Sequence, residues 1–87
     1  MLRITENRVA SNELILLLEG QLTNHWIEIA RETCQQILSQ NNQLVLDVAG
    51  VTFADRNGIE FLQTMLQQHV ELKNCSPFLT EQLKQAA

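Results

Sequence analysis

The residues best placed to do chemistry in this chain stand together, Asp55-Arg56-Asn57-Gly58. They fall between an apolar stretch, residues 44–48, and an amphipathic stretch that begins at Ile59. A helix starting there leaves its first backbone N–H groups unpaired and carries partial positive charge at that end. Such a start takes a carboxylate cap, or a polar group from another protein. Asp55 is a short acid in the capping position, where a cap stabilises by ~1 kcal/mol, and it is also a candidate partner contact. Arg56 sets a permanent cation at the positive end, a cost of roughly a few tenths of a kcal/mol for an exposed side chain. It is either a solvated surface residue or the partner of Asp55 or of another protein's acid. Gly58 permits close backbone approach.

Catalysis is not expected. Asp47 and Asp55 have no histidine at a motif spacing, and His25 and His69 fall in helical stretches, at surfaces or helix ends. Gly50 and Gly58 are too far apart for a phosphate-cradling loop. Cys34, Cys75, His25 and His69 lack metal-ligand spacing, so neither metal nor cofactor is expected. The two cysteines lie in different elements; a disulfide between them stays open, but reduced, mostly buried thiols are the expected state. Ser39, Thr52 and Ser76 are hydroxyls with no context that favours modification.

The elements that must position the loop follow from length and patterning. Eighty-seven residues make one domain, 1–87, with a modest core, so a protein partner or a homodimer is within expectation. A net charge of −4, from 6 basic and 10 acidic residues, argues against nucleic acid. The longest apolar run, residues 14–18, is far short of the ~20 residues of a membrane helix. Glu6 stands where a signal peptide would have its apolar core, so a cytoplasmic chain without membrane insertion is expected.

Residues 2–9 alternate, Leu2 and Ile4 against Arg3 and Thr5, as a half-buried strand does, with a bend expected at Asn7. Polar residues 10–13 predict a hairpin turn into a second strand, 14–19. There Leu14, Leu16 and Leu18 face one way and Ile15 and Leu17 the other. A strand apolar on both faces is covered twice or offers one face to a partner. Gly20 is expected to end it. A helix capped by Thr23 or Asn24 runs to about Gln40 and buries Trp26 or Ile27, Ala30, Cys34, Ile37 and Leu38. Trp26 is a core residue or an interface anchor. Residues 44–48 form the third strand. Residues 49–53 are expected to cross the top of the sheet, with Asp47 accepting N–H bonds from the turn at 50–52.

The second helix, from Arg56 or Asn57 to His69, is expected to bury Ile59, Leu62, Met65 and Leu66. Phe61 falls off that stripe as an exposed apolar contact. Residues 70–74 alternate as a short edge strand, with Val70 and Leu72 inward. Ser76 caps and Pro77 opens a last helix whose apolar side is Phe78, Leu79 and Leu83. The fold class is α/β in the order ββαβαβα, a four-stranded mixed sheet with three helices. Right-handed crossovers set the last three strands parallel and in sequence, with the first antiparallel to the second.

A strand ending in Asp, then hydrophobic-x-Phe-x-Asp-x-x-Gly before a helix, is carried by Leu46-Asp47, Val51, Phe53, Asp55 and Gly58. This pattern resembles the STAS domain, and Gly20 and Cys75-Ser76-Pro77 fit it too. The resemblance covers nearly the whole chain and implies the same layout. The family includes anti-sigma factor antagonists, cytoplasmic tails of sulfate transporters and a small subunit of lipid-transport ABC systems. In the antagonists the loop reads Asp-Ser-Ser-Gly or close to it. Its first serine is phosphorylated by a kinase-like anti-sigma factor, which binds the unmodified form; the phosphate breaks that complex. Asp55 and Gly58 match, whereas Arg56 stands at the phosphoacceptor position and Asn57 at the next serine. No phosphorylation is therefore expected at the family position.

The resemblance implies a non-enzymatic protein-interaction or regulatory module, active in signalling or transcription regulation, that docks through residues 53–61. Asp55, Arg56, Asn57, Gly58 and Phe61 are its expected partner-binding residues, and a kinase-like anti-sigma factor its expected partner. Two alternatives stay open: a lipid-transport ABC subunit binding its transporter ATPase, and a sensor of an apolar or nucleotide ligand in a pocket of the sheet.

Overall fold

Leucine at every second position from 14 to 18 decides which side of the sheet is covered. In the computed structural model, which describes residues 1–85, the order is β1 (Leu2–Ala10), β2 (Glu13–Leu22), α1 (Asn24–Ser39), β3 (Gln43–Ala54), α2 (Arg56–Gln67), β4 (Glu71–Lys73) and α3 (Pro77–Gln85). The sheet runs β1-β2-β3-β4, with β1 antiparallel to β2, and with β3 parallel to both β2 and β4. This is the expected ββαβαβα fold.

Leu14 lies beside Leu44, and Leu16 beside Leu46. With Leu18 and Val48 they are buried against one helical layer. That layer contributes Ile27, Ala30, Cys34 and Ile37 from α1, the stripe expected there except that Leu38 is only half-buried, together with Phe61, Leu62 and Met65 from α2. Each leucine buried in full contributes about 1.5–3 kcal/mol. Ile15, Leu17 and Val45, on the opposite face, are only half-buried. Both strands are thus fully covered on one face alone. Trp26 is half-buried against the core, and its ring lies 4.4 Å from that of His25.

Several boundaries differ from those read in the sequence, each for a local reason. Asn7 does not bend β1: it pairs in register with Ile15, and the irregularity falls between Arg8 and Ala10. β2 passes through Gly20 to Leu22. Gly20 has φ 112°, and a Cβ there would collide with the Met1 carbonyl oxygen, so glycine deforms this ladder without ending it. β3 likewise continues through 49–53. It carries one more residue than β2 between the pairs Leu17/Asp47 and Glu19/Gly50, and another between Gly20/Val51 and Gln21/Phe53. These are two bulges, which bend a strand and raise its twist. Asp47 therefore has no 50–52 turn to cap. Its Oδ1 accepts from Ala49 N at 3.1 Å, and Asn74 Nδ2 reaches its two oxygens at 3.3 and 3.2 Å, joining β3 to the exit of β4. Thr23 occupies the α1 cap position but makes no side-chain cap bond.

α3 begins as expected, Ser76 Oγ accepting from Leu79 N at 3.1 Å. Leu79 is buried but Phe78 is exposed, since the first turn of this short helix presents only one of two adjacent residues to the core.

Cys34 and Cys75 are both free thiols. Burial pushes the Cys34 thiol from 9.0 up to about 12. A pKa raised by folding favours the neutral thiol in the native state. Its contribution to stability is therefore full below about pH 9 and is lost as pH rises toward 12. At pH 8 an aromatic disulfide reagent should label Cys75 quickly and Cys34 only upon unfolding. Rapid labelling of both in the native protein would contradict the burial of Cys34.

Candidate functional site

The end of β3 and the start of α2 meet on one backbone atom. Leu22, the last residue of β2, pairs with Ala54. Its carbonyl oxygen accepts from Asp55 N at 3.3 Å. Asp55 is extended, with φ −79° and ψ −176°, and its Oδ1 accepts from Gly58 N at 2.8 Å. Its own carbonyl takes Ile59 N at 2.9 Å as the first bond of the helix. Asp55 is therefore the N-cap, one of the two roles open to it in the sequence.

Gly58 is buried beneath this cap. A Cβ there would collide with the Leu22 carbonyl oxygen and lie 3.3 Å from Ala54 Cβ. Glycine thus lets the first turn of α2 press on the end of β2, the close approach anticipated for it. Asp55 and Gly58 build the loop, while Arg56 and Asn57 are what it presents. The Arg56 side chain is 93% exposed, and its Nε lies 3.7 Å from Glu60 Oε1. Such an exposed i,i+4 pair contributes about 0.3–0.5 kcal/mol, so Arg56 is nearly free to engage another molecule. Asn57 is exposed beside it. Among the described residues Arg56 forms no ion pair with Asp55, one of the partners open to it in the sequence.

Phe61 is a correction. It was expected as an exposed apolar contact, yet it is 1% exposed and among the largest buried side chains, while Leu66, expected inside, is 44% exposed. The cause is the helix phase. Gly58 faces the sheet, so residues three, four and seven further on, Phe61, Leu62 and Met65, face it too. Phe61 thus belongs to the core that supports the loop. The exposed aromatic next to the loop is Phe53, 48% exposed, paired with Gln21 at the end of the sheet.

α3 adds residues that no local pattern in the sequence links to the loop. Gln63 Nε2 donates to Leu83 O at 3.2 Å. Arg56, Ile59, Glu60, Gln63, Gln82 and Gln85 line a groove of about 490 Å³ between α2 and α3. Gln82 Oε1 is buried without a hydrogen-bond donor among the described residues. The groove beside the loop is thus lined mainly by polar side chains, with Arg56 and Glu60 its charged residues. Among the described residues, no cluster of three or more His, Cys, Asp or Glu could hold a metal. No helix there is long and apolar enough to cross a membrane.

No family model and no curated protein sequence matches this chain. By structure the class is plain: the chain has the STAS fold. The structure of the anti-sigma factor antagonist SpoIIAA in its unphosphorylated form is similar to it with a TM-score of 0.77. The similarity covers 94% of this chain and 82% of that one, at 17% sequence identity.

Two substitutions separate scaffold from surface. Gly58→Ala should lower the unfolding free energy by about 1–3 kcal/mol, because the added methyl meets backbone that cannot swing aside. Phe61→Ala should cost about 3–5 kcal/mol through the cavity it leaves. Denaturant titration measures both. A neutral result for Phe61→Ala would mean that the side chain is not in the core.

Proposed function

We propose that this chain is a STAS-type regulatory module that binds a protein partner through the start of α2, without a phosphorylation switch at position 56. The observation that carries this reading is the contrast within one loop. Asp55 and Gly58 direct their polar and packing contacts inward, onto Gly58 N and Leu22 O. Arg56 and Asn57 stay exposed on the rigid turn so made. The likeness in fold to an anti-sigma factor antagonist supports docking in preference to catalysis.

Arginine suits such a surface. Its planar guanidinium pairs with a carboxylate through two parallel bonds, and it is held on a helix start whose own N–H groups add positive potential. It cannot be phosphorylated by a serine kinase, so the charge reversal that would expel a partner is not available at this residue. In this reading the partner is a cytoplasmic kinase-like ATPase that offers an acid to Arg56.

The test is affinity capture from native lysate with wild type, Arg56→Ala and Arg56→Ser, read by mass spectrometry with phosphosite mapping. Wild type should capture a kinase-like ATPase and carry no phosphate on residues 55–58. Arg56→Ala should weaken capture roughly tenfold, the scale of one charge-assisted hydrogen bond, while stability changes by less than about 0.5 kcal/mol. Arg56→Ser should become phosphorylated. Phosphate on the wild-type loop, or full capture by Arg56→Ala, would overturn the reading. Capture of a transporter ATPase would move the chain to lipid transport.

A further inference from the structure

The geometry points to a second interaction surface: the free edge of β1 pairs with β1 of a second copy of this chain, antiparallel and centred on Asn7. Among the described residues, β1 has β2 on one side and no strand on the other. It is nine residues long, against three for β4 at the opposite edge. From Thr5 to Ala10 every side chain is exposed. A long open edge of this kind is a template for another strand unless charge or a bulge blocks it. Arg3, Glu6 and Arg8 supply charge here, and the irregularity between Arg8 and Ala10 supplies a bulge.

Those charges favour one register over its neighbours. Centred on Asn7, antiparallel pairing sets Glu6 across from Arg8 of the second copy, and Arg8 across from that copy's Glu6. Thr5 then meets the second copy's Val9. Val9 is 49% exposed and sits at the irregularity with no partner in β2, so this outermost contact is the least regular of the pairing, and the Glu6–Arg8 pairs carry it. Centring on Glu6 would oppose two carboxylates. Centring on Thr5 would oppose Ile4 to Glu6 and Leu2 to Arg8. Opposite charges directly across an antiparallel pair stabilise it and like charges destabilise it, so the strand selects its own register. Arg8 Nη1 already donates to Ser11 O at 2.7 Å, and its remaining N–H donors are available to Glu6.

Glu6 and Arg8 share a face of β1, so the two-fold axis stands perpendicular to the sheet. The product is a continuous eight-stranded sheet with the helices of both copies on one side. α2 packs on β3 and β4, away from the joined edge. Both Arg56 loops therefore remain open, and the dimer is bivalent toward a partner. This inference does not depend on the partner reading, because it concerns the chain alone.

Sedimentation equilibrium from micromolar to millimolar concentration tests it. Wild type should show a monomer–dimer equilibrium. Glu6→Arg and Arg8→Glu should each weaken dimerisation by roughly tenfold or more, since each sets like charges opposite twice. The double variant Glu6→Arg/Arg8→Glu should restore the wild-type constant to within about threefold. Both side chains are exposed, and circular dichroism confirms that each variant is folded. As a readout free of substitution, amide exchange across residues 2–10 should slow as wild-type concentration rises. A monomer at every concentration, exchange that does not depend on concentration, or a double variant no better than the singles would overturn the proposal.

Discussion

One carbonyl, that of Leu22, holds the site together. It closes the β2 ladder, takes the N–H of Asp55, and receives the bare Cα of Gly58. At that atom the end of β2 is fixed to a junction distant from it in sequence, where β3 ends at Ala54 and α2 begins at Arg56. The contact also sets the rotation of α2. With Gly58 against the sheet, Phe61, Leu62 and Met65 must enter the core, and Leu66 must leave it. The exposure of Arg56 is a consequence of the same rotation.

Local periodicity carried most of the fold into view. Alternating leucines in β2 and the spacing of Ile27, Ala30, Cys34 and Ile37 in α1 are signals that need no distant partner. Element order and sheet topology followed from them and from the handedness of crossovers. What stayed hidden was set by contacts between distant residues. The phase of α2 depends on Leu22. The length of β3 depends on two bulges against β2, and Thr52 Oγ1 crosses to Gly20 O at 3.2 Å to hold that irregular stretch in the sheet. Glycine reads locally as a stop, and only the neighbouring strand turns it into a bend. Asp47 found its partner in Asn74, beyond a whole helix.

The candidate site was legible in part for the same reason. The capping role of Asp55 and the close approach at Gly58 are local rules expressed in a short motif. The groove formed with Gln82 and Gln85 is tertiary, and no spacing announces it. The outcome is a loop whose geometry comes from two inward residues, Asp55 and Gly58, and whose exposed surface comes from two outward ones, Arg56 and Asn57. In such a design the outward pair can change identity without disturbing the fold.

The proposed docking sets a protein partner against the exposed turn of α2. Its most direct test is photo-crosslinking in cells, with a photoreactive amino acid replacing Asn57 in one variant and Gln36 in another. Gln36 is exposed on α1, outside the candidate site. A covalent adduct with a partner protein should form from position 57 and none from position 36. An adduct from position 36 alone, or equal adducts from both, would contradict it.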